Sequence, residues 1–552
     1  MTNITMKIEF LQAVEDMTRA LIIDGYIDEP ASLGVPPYIS PQVRAVAGAA
    51  KDAGAEIAYV TIDAFRKSGS LPSSDLSIVM AGAGVPGRYL RSLPASFKEI
   101  RTLAERLPGT RMLGGPASLD PEHRSLLPFE VVARKDAASS VFDLIRTGEI
   151  TNRWRTLDEW NKWMLLGADI VRSHQDFPQP LIAEIETYRG CMRYRTGGCS
   201  FCIEPLKGAP VFREPEDIIR EAKILNKLGV RNLRLGAQTC IFSYKARMSG
   251  DVVRPNPDAI ERLLSGIADL DIDVLHLDNA DPSVIANNPD ESRRILSSMV
   301  EHCTSGNVLA LGMESADSKV IEMNNLNSTP DQVLDATRIM NEIGGERGEN
   351  GLPRLLPGLN FVIGLDGESE RTLDLNLSFL RRVLEEDLLL RRINIRQVMP
   401  IRREFKPGVS HSEFVRFKDK VRESIDNPML QRLVPQGTVL RKIYTELREG
   451  NRTFGRQIGT YPILVGFQYP IGIGKFIDAK VVGWGQRSVT AVEFPLPVNT
   501  CPLAALESLP YIGKKRAARI ARKRPIRSIE ELAAAIEDEQ AVSSISPYLY
   551  LK

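Results

Sequence analysis

The sequence predicts an α/β protein of several domains, in which two series of alternating strands and helices precede a small β unit. Three observations predict this architecture. The chain has 552 residues, whereas a single hydrophobic core stops growing at roughly 250–300 residues. Strand-like apolar runs alternate with helix-like runs from about residue 20 to residue 399, as is typical of parallel sheets. After about residue 405 the alternation stops, so we expect a different architecture there.

The first series, residues 1–125, predicts a doubly wound, Rossmann-like domain. Its strand-like runs are residues 21–26, 55–63, 75–84 and 111–116. Short Gly-rich loops follow these runs, and in such sheets ligands bind in the crevice outside the carboxyl ends of the strands. A flavodoxin-like domain without a ligand fits the same pattern. Residues 126–179 give mixed signals and are predicted to be a linker.

The second series, residues 180–404, predicts a partial or complete α/β barrel. Its strand candidates are residues 181–187, 232–238, 273–279, 308–314, 359–365 and 393–399. Amphipathic helices such as residues 216–229 separate them. Because active sites of barrels lie at the carboxyl ends of the strands, we expect functional residues directly after these runs.

The last part of the chain combines helices with a small β unit. Residues 405–500 are predicted to be a helical segment, 412–450, followed by a β-barrel-like unit, 453–495, of short strands separated by Gly and Pro. Residues 501–552 are predicted to be a helical tail. Within it, residues 506–524 have the form of a helix-hairpin-helix, whose tight turn can offer backbone N–H groups to a phosphate.

Composition limits the partners and the compartment. The chain is 43% hydrophobic and 26% charged with a formal net charge of +1, which gives no global attraction to nucleic acid or anionic membranes. Its beginning carries charges throughout, unlike a signal peptide. The longest uncharged run, residues 457–474, contains four Gly and two Pro, which favours sheet and turn over a membrane helix. We therefore expect a cytoplasmic protein without a membrane partner.

Three cysteines, Cys191, Cys199 and Cys202, form a C-x7-C-x2-C array after the first predicted barrel strand. Three thiolates can hold a [4Fe–4S] cluster and leave one iron open. Zinc would need a fourth ligand, which would have to be distant in sequence. Six cysteines in a chain of this length do not suggest a disulfide framework. The other three and one histidine are interpreted as core residues: Cys240, Cys303, Cys501 and His276.

On these residues the sequence resembles the radical S-adenosylmethionine (SAM) superfamily, whose members place three cysteines after the first strand of an α/β barrel. The common spacing there is three and then two residues, so seven and two is a variant. The resemblance implies a [4Fe–4S] cluster on the three cysteines and SAM bound at the strand ends. The residues implied for SAM are Phe201, Gly236, Gln238, Glu314, Ser315, Gly364 and Gln397. Taken alone, Glu314 is interpreted as a helix-start residue, because the macrodipole stabilises an acid near a helix N-terminus.

The first domain, with Gly-Gly-Pro at 114–116, resembles the cobalamin-binding domain that precedes many radical SAM barrels. There, glycines let the backbone approach the corrin closely. The residues implied for cobalamin are Gly82, Gly84, Gly114 and Gly115, with Tyr38 as a candidate for its lower face. The loop around Tyr38, residues 32–40, fits a merely stiffened crossover equally well. An Asp-x-His-x-x-Gly motif, which supplies a cobalt ligand in some cobalamin enzymes, is absent.

Together these resemblances imply a cobalamin-dependent radical SAM C-methyltransferase that methylates an unactivated sp3 carbon and needs an electron donor. The combination of parts resembles the archaeal enzymes that methylate a glutamine in methyl-coenzyme M reductase. This implies a protein or peptide substrate, with the glutamine Cα as the methyl acceptor.

Two other functions stay open. The β unit resembles the RNA-binding barrel of radical SAM methylthiotransferases, so a tRNA-modifying enzyme is the main alternative. The tail residues that could contact phosphate are Lys514, Lys515, Arg516, Arg519, Arg522, Lys523 and Arg524. Against it, Tyr511 stands where the usual hairpin turn has Gly, and the start of the chain lacks the further cluster cysteines of methylthiotransferases. The other possibility is a binding protein with a structural cluster, which SAM cleavage on reduction would exclude.

Overall fold

The computed structural model describes residues 19–27, 38–82, 90–119 and 128–551. The strands of the first part are β1 (Arg19–Asp24), β2 (Tyr38–Ile39), β3 (Glu56–Thr61), β4 (Leu76–Met80), β5 (Thr110–Gly114) and β6 (Val131–Val132). Its helices are α1 (Pro41–Asp52), α2 (Ile62–Ser68), α3 (Phe97–Ala104), α4 (Ala137–Thr147) and α5 (Leu157–Leu166). Apart from β2, these strands form one parallel sheet of order β3-β1-β4-β5-β6. This is a doubly wound order with its switch point between β1 and β4.

The first domain extends beyond residue 125, which corrects the predicted boundary. Its last strand, β6, lies inside the segment predicted to be a linker. Helices α4 and α5 of that segment both pack against α1. The strand was missed because it has only two residues, too few to show a period of two.

The second part is an α/β barrel. Its strands are β7 (Ile182–Glu186), β8 (Tyr188–Arg189), β9 (Val211–Phe212), β10 (Asn232–Gly236), β11 (Arg247–Ser249), β12 (Val252–Arg254), β13 (Val274–Leu277), β14 (Asn307–Glu314), β15 (Leu355–Ile363) and β16 (Arg392–Gln397). Its helices are α6 (Pro215–Leu228), α7 (Pro257–Ala268), α8 (Pro282–Asn287), α9 (Pro289–His302), α10 (Ser318–Met323), α11 (Pro330–Gly344) and α12 (Glu370–Glu385). The six predicted strands are present as β7, β10, β13, β14, β15 and β16.

These strands form two parallel sheets, β13-β10-β7-β2 and β14-β15-β16, joined by a bridge between Ala280 and Leu311. The edge strand β2 belongs to the barrel although it lies between β1 and α1 in sequence. Tyr38 pairs with Ile182, and Ile39 with Ala183. The sequence predicts a loop of the first domain here, and this prediction is wrong for Tyr38 and Ile39 because a two-residue strand leaves no periodic signal.

The third part contains a closed five-stranded barrel. Its elements are α13 (His411–Val421), a π-helical turn (Arg422–Asp426), α14 (Asn427–Leu433), β17 (Val439–Glu449), β18 (Arg452–Gln457), β19 (Leu464–Phe467), β20 (Phe476–Trp484), β21 (Ser488–Glu493), β22 (Leu496–Pro497), α15 (Leu503–Glu507), α16 (Gly513–Arg522), α17 (Ile529–Ile536), α18 (Glu539–Ile545) and β23 (Leu549–Tyr550). The barrel order β17-β18-β19-β21-β20 is that of an OB-fold. The helix predicted for residues 412–450 is wrong after Leu433, because Pro435 and Gly437 precede the long strand β17.

Short 3₁₀ turns lie at Pro116–Ser118, Ala168–Ser173, Met192–Thr196, Glu204–Lys207, Ile241–Ser243 and Ser546–Tyr548. One hydrophobic core joins a face of the first sheet, including Ile22, to the barrel, including Leu235. The OB-like barrel and the tail share a second core, which includes Val465 and Leu506. In the described ranges, none of the helices is both long and apolar enough to cross a membrane.

Candidate functional site

The loop that carries the three cysteines begins at the carboxyl end of the first barrel strand, β7. Gly197 and Gly198, just before Cys199, have φ angles of 78° and 60°, which favour glycine. A Cβ on Gly198 would lie 2.3 Å from Cγ of Pro205. The three cysteines are free and partly buried. The loop therefore turns tightly and presents three thiols at the barrel mouth.

Arg402, which follows the last barrel strand, holds this loop from the other side of the barrel. Its Nη1 donates to the carbonyl oxygens of Gly197 at 2.8 Å, Cys199 at 2.9 Å and Cys202 at 3.2 Å. Carbonyls bound to a guanidinium form charge-assisted hydrogen bonds, which are stronger than neutral ones. One side chain thus fixes the backbone at two of the three cysteines.

The turn after α10 supports the loop as well. The backbone N–H of Ser200 donates to the Asn324 carbonyl at 2.9 Å. The Asn325 side chain donates to the carbonyls of Gly198 at 2.9 Å and Thr196 at 3.1 Å. Since Asn325 has a φ of 48°, the turn itself is tight. The backbone of the cysteine loop is therefore held both by Arg402, after β16, and by the turn after α10.

Burial keeps the thiols protonated when no metal is bound. It raises the pKa of Cys199 to about 12 and that of Cys202 to about 12, and the neighbouring thiols add to the rise. Arg193 opposes it, because its Nη1 lies 3.3 Å from Cys199 Sγ. Its backbone N–H also lies 3.4 Å from Cys191 Sγ. Binding of a cationic cluster would therefore release protons.

The donor set fits an iron–sulfur cluster better than a single ion. Among the described residues, no group of three or more His, Cys, Asp or Glu is arranged to hold one metal ion. A four-iron cube spreads its thiolate ligands further apart than a single ion does. Three thiols on one tight loop would bind three of its irons and leave the fourth iron open.

The predicted SAM residues Gly236 and Gln238 lie at the carboxyl end of β10. A Cβ on Gly236 would lie 2.1 Å from Oε1 of Glu184, so a larger residue there would have to displace this carboxylate. The buried Gln238 amide donates to the carbonyls of Leu235 at 3.1 Å and Asp278 at 2.9 Å. This side chain therefore positions the strand end by bonding to the protein's own backbone.

Glu314 and Ser315 lie at the end of β14. Glu314 has a φ of 61°, and a Cβ on Gly312 would lie 2.9 Å from its Oε1, so the carboxylate folds back over this glycine. Ser315 is buried and accepts from the Asp317 N–H at 3.2 Å. Asp317, and not Glu314, caps the following helix. The alternative interpretation of Glu314 as a helix-start residue is therefore wrong.

Gly364 and Gln397 lie at the ends of the neighbouring strands β15 and β16, whereas Phe201 lies in the cysteine loop after β7. Gly364 has a φ of 100°, and its N–H donates to the Glu368 carboxyl group at 2.6 Å. Burial raises the pKa of Glu368 to about 7. Gln397 ends β16 and is exposed. Phe201 packs beside the buried Leu365, in a small apolar cluster next to the cysteine loop.

A cavity of about 400 Å³ lies between the first sheet and the barrel mouth, within the usual range of roughly 300–1,000 Å³ for ligand pockets. Its lining includes Gly115, Ser118 and Ala133 at the edge of the first sheet, Trp154 and Arg155 after α4, and Glu186, Ile203, Lys207 and Arg402 at the barrel mouth. The same Arg402 that fixes the cysteine loop therefore also forms part of the cavity wall.

A buried ionic network forms one wall of this cavity. Arg155 contacts Glu186 at 2.7 Å and Asp136 at 3.4 Å, and Arg189 lies 3.8 Å from Asp136. Burial raises the pKa of Glu186, although Arg155 opposes this effect. The network joins the N-terminus of α4 to the end of β7 and gives the cavity fixed charges.

The residues predicted for cobalamin do not all meet at the cavity. Gly115 lines it, with a φ of 79°. Gly114 is used for packing, since a Cβ there would lie 2.7 Å from Met80 Sδ. Gly82 is buried after β4, and Gly84 lies outside the described residues. The hydroxyl of Tyr38 donates to the Ile27 carbonyl.

The structure places the residues interpreted as core residues in buried or partly buried positions. Cys240 and Cys501 are buried and Cys303 is partly buried. His276 accepts from the Thr460 N–H at 3.0 Å, and its Nε2 lies 3.1 Å from the Thr304 carbonyl. Burial lowers its pKa to about 4. His276 is therefore a neutral, satisfied core histidine.

Comparison with known families defines the class of the site. Residues 185–380 match the Radical SAM superfamily, a region that contains all three loop cysteines and five of the six main barrel strands. This part of the chain is a radical SAM domain, and its cofactors are a [4Fe–4S] cluster and SAM.

Two archaeal relatives show the family. An uncharacterized protein of Methanocaldococcus jannaschii is 44% identical over 513 residues, which cover 87% of this chain and 94% of the relative. Another from Archaeoglobus fulgidus is 42% identical over 534 residues, which cover 94% of this chain and 97% of the relative. The chain belongs to the same family as these two proteins.

Solved structures with a similar chain path include two enzymes. One is the radical SAM methyltransferase TsrM from Kitasatospora setae with cobalamin and a [4Fe–4S] cluster bound (TM-score 0.46, 13% identity, 69% of this chain and 75% of that chain). The other is the cobalamin-dependent SAM radical enzyme OxsB with aqua-cobalamin and SAM bound (TM-score 0.46, 13% identity, 76% of this chain and 56% of that chain).

Proposed function

We propose that this protein is a cobalamin-dependent radical SAM methyltransferase that methylates an unactivated sp3 carbon. One observation carries the proposal: a single cavity is lined both by the carboxyl edge of a doubly wound sheet and by Arg402, which holds the cysteine loop. A ligand bound at that sheet edge would lie directly beside the barrel mouth. Gly115 lines this cavity on the side of the sheet.

The chain's own residues would bind and orient the reactants. When bound, the cluster would supply the electron for the reductive cleavage of SAM, which releases methionine, and cobalamin would carry the methyl group. Cys191, Cys199 and Cys202 hold the cluster, and Arg402 fixes their loop. Positioning by rigid strand ends lowers the entropic part of the barrier, and the walls of the cavity exclude water from the radical.

For the substrate, we propose a peptide segment of a protein, with a glutamine of methyl-coenzyme M reductase as the first to test. The inner face of the barrel supports an amide-bearing substrate. Leu359 and Phe361 pack in the outer core, so Asn360 between them faces the interior. Its side-chain amide lies 3.2 Å from that of Asn394 on β16. A separate electron donor would reduce the cluster.

The first test is an absorption spectrum. The full-length protein is reconstituted anaerobically with iron and sulfide, incubated with hydroxocobalamin and desalted. We expect corrin bands near one per chain. A control in which all three loop cysteines are replaced by Ala should lose the iron–sulfur absorption and keep the corrin, since Gly115 and Ser118 lie on the other wall. A cluster without retained corrin would contradict the proposal.

The substrate is tested separately with SAM that carries an isotopically labelled methyl group, a chemical reductant and peptides around candidate glutamines. Transfer of the label to a glutamine carbon, located by mass spectrometry, is expected. Peptides that stay unlabelled while SAM is cleaved would contradict the peptide substrate but leave the cofactor assignment intact.

A tRNA-modifying enzyme is the second candidate, because OB-fold barrels commonly bind oligonucleotides. The basic residues of the tail support this function less than their number in the sequence suggests. Four of its seven basic residues are bound within the tail itself: Arg516, Arg519, Lys523 and Arg524. Tight, salt-dependent binding of tRNA together with absent corrin would favour this function.

A further inference from the structure

A narrow cleft at the amino ends of the α/β barrel strands is lined by three arginines. Arg391 and Arg392 lie at the start of β16, opposite the end that faces the cysteine loop, and Arg487 lies between β20 and β21 of the OB-like barrel. The cleft has a volume of about 70 Å³. A water molecule needs roughly 10–15 Å³ on this measure. The cleft therefore has room for a group of several non-hydrogen atoms.

The three arginines of this cleft outnumber the carboxylates in its lining. Asp426 is the carboxylate in its lining. Within the described part of the chain, Arg391, Arg392 and Arg487 form no ion pair within 4.0 Å. The buried Nε atoms of Arg391 and Arg392, and Nη2 of Arg392, have no hydrogen-bond partner there. Arg392 itself is only 7% exposed. Buried charged donors without partners are costly, so an unoccupied cleft is unfavourable.

Two of the three guanidinium groups, those of Arg391 and Arg392, are fixed in place before any ligand binds. Arg391 donates to the Pro462 carbonyl at 2.7 Å. Arg392 stacks on the ring of Tyr461, with 4.0 Å from its Cζ to the ring centroid. Such contacts hold each planar group in one orientation, so less side-chain entropy is lost on binding.

The titration of the surrounding groups agrees with an excess of positive charge. Burial lowers the pKa of Arg391 to about 10, and the nearby Arg487 and Arg392 lower it further. Burial raises the pKa of Asp426 to about 6, although Arg487, Arg391 and Arg422 oppose that rise. Lys418 and Arg422, on the same helical segment, add to the positive potential at Arg487.

We propose that this cleft binds a phosphate-class oxyanion, with Arg391, Arg392 and Arg487 as donors. A guanidinium fork matches two phosphate oxygens at once, and three forks around one cleft can satisfy a tetrahedral oxyanion with several negative charges. The phosphate group could belong to an RNA strand on the OB-like barrel or to a small phosphorylated molecule. In both cases the same three residues recognise the same chemical group.

The test is calorimetric titration of the full-length, cluster-loaded protein with inorganic phosphate and pyrophosphate, with ionic strength held constant by KCl. Saturable binding is expected, weakened at least tenfold by Arg487→Gln. Because Arg487 is exposed, this variant should keep its thermal midpoint in phosphate-free buffer. The matched control is Arg101→Gln, an exposed arginine on α3 of the first domain, which should bind like wild type. Asp426→Asn should bind more tightly, since it removes a competing carboxylate.

A short single-stranded RNA distinguishes the two sources. Competition between RNA and pyrophosphate that depends on Arg487 would identify a polynucleotide phosphate. Saturable pyrophosphate binding without such competition would identify a small phosphorylated molecule. The proposal is overturned if neither phosphate, pyrophosphate nor RNA binds saturably, or if Arg487→Gln binds all of them like wild type.

Discussion

Gly197 and Gly198 stand side by side in the cysteine loop, both with positive φ angles, but their surroundings differ. A Cβ on Gly198 would lie 2.3 Å from Pro205 Cγ, whereas one on Gly197 would have Arg402 Nη2 as its nearest atom, at 3.7 Å. The left-handed backbone costs either alanine about 1–2 kcal/mol. We expect Gly198→Ala to add a steric penalty and to retain much less iron per chain after reconstitution than Gly197→Ala. Equal iron contents would contradict a packing role for Gly198.

Arg402 is a positioning residue for the cluster. Replacing it with Ala removes the contacts of Nη1 with three loop carbonyls. The two hydrogens of Nη1 are shared among these carbonyls, and a hydrogen bond with one charged partner is worth about 1.5–3 kcal/mol. We expect Arg402→Ala to fold but to lose iron and cluster absorption faster during desalting than wild type. The control is Arg381→Ala, an exposed residue of α12. A wild-type rate of cluster loss in Arg402→Ala would show that the loop is held without it.

At this scale, the sequence predicted the residues whose signal is local. The three cysteines lie within twelve positions, so their spacing alone indicated a cluster. Arg402 and Asn325 were missed because their partners lie about 200 and 130 positions away. The Gln238 amide was predicted to contact SAM, but its bonds to backbone carbonyls depend on how β10 and β13 pair.

Among the elements, the helices α1 and α5 come closest to each other at the positions of their glycines. A Cβ on Gly48 would lie 1.9 Å from the Trp163 carbonyl oxygen. Alanine favours a helix over glycine by about 1 kcal/mol, but overpacking against backbone typically costs about 1–3 kcal/mol. We therefore expect Gly48→Ala to lower the thermal midpoint.

The matched control for this prediction is Gly266→Ala in α7. There a Cβ would meet Cδ1 of Ile219 at 2.4 Å, and the far end of a side chain can move aside. Gly266→Ala should therefore stay within about 1 kcal/mol of wild type. Equal thermal midpoints of Gly48→Ala and Gly266→Ala would contradict the role of close helix packing at Gly48.

The elements that the sequence predicted well are long and periodic. The six barrel strands and the helix at residues 216–229 all lie where expected. The strands that the sequence did not predict are β2 and β6, which have two residues each, and β17, whose charged residues resemble those of an exposed helix. Only pairing with β7, β5 and β18 makes these segments strands.

In the whole molecule, a buried ion triad joins the first domain to the barrel. Glu221 of α6 contacts Arg44 of α1 and Arg213, each at 2.6 Å, and all three side chains are fully buried. Removing one partner of a buried pair typically costs about 3–5 kcal/mol. We expect Glu221→Gln to destabilise the protein by this order, whereas Glu216→Gln, an exposed residue of the same helix, should be nearly neutral.

The same triad predicts a pH dependence. Burial alone would raise the pKa of Glu221, but Arg213 and Arg44 outweigh it and lower the pKa below its ordinary value of 4.5. A lowered pKa stabilises the folded state above the unfolded pKa, and this contribution is lost as the pH falls through the folded pKa. The difference in thermal midpoint between wild type and Glu221→Gln should therefore be constant above about pH 6 and shrink below pH 4.5. A difference that grows on acidification would contradict this assignment.

The chain crosses between its two halves more than once. It leaves the first sheet after β1, contributes β2 to the edge of the barrel sheet, and returns through α1 to β3. No single cut in the chain therefore yields two complete domains. A barrel expressed without its N-terminal part would expose the edge of β7. The first domain expressed alone would carry β2 without the strand it pairs with. The first domain and barrel form one inseparable unit, so exchanging either for a homologous module would require two grafted junctions, one on each side of Tyr38–Ile39.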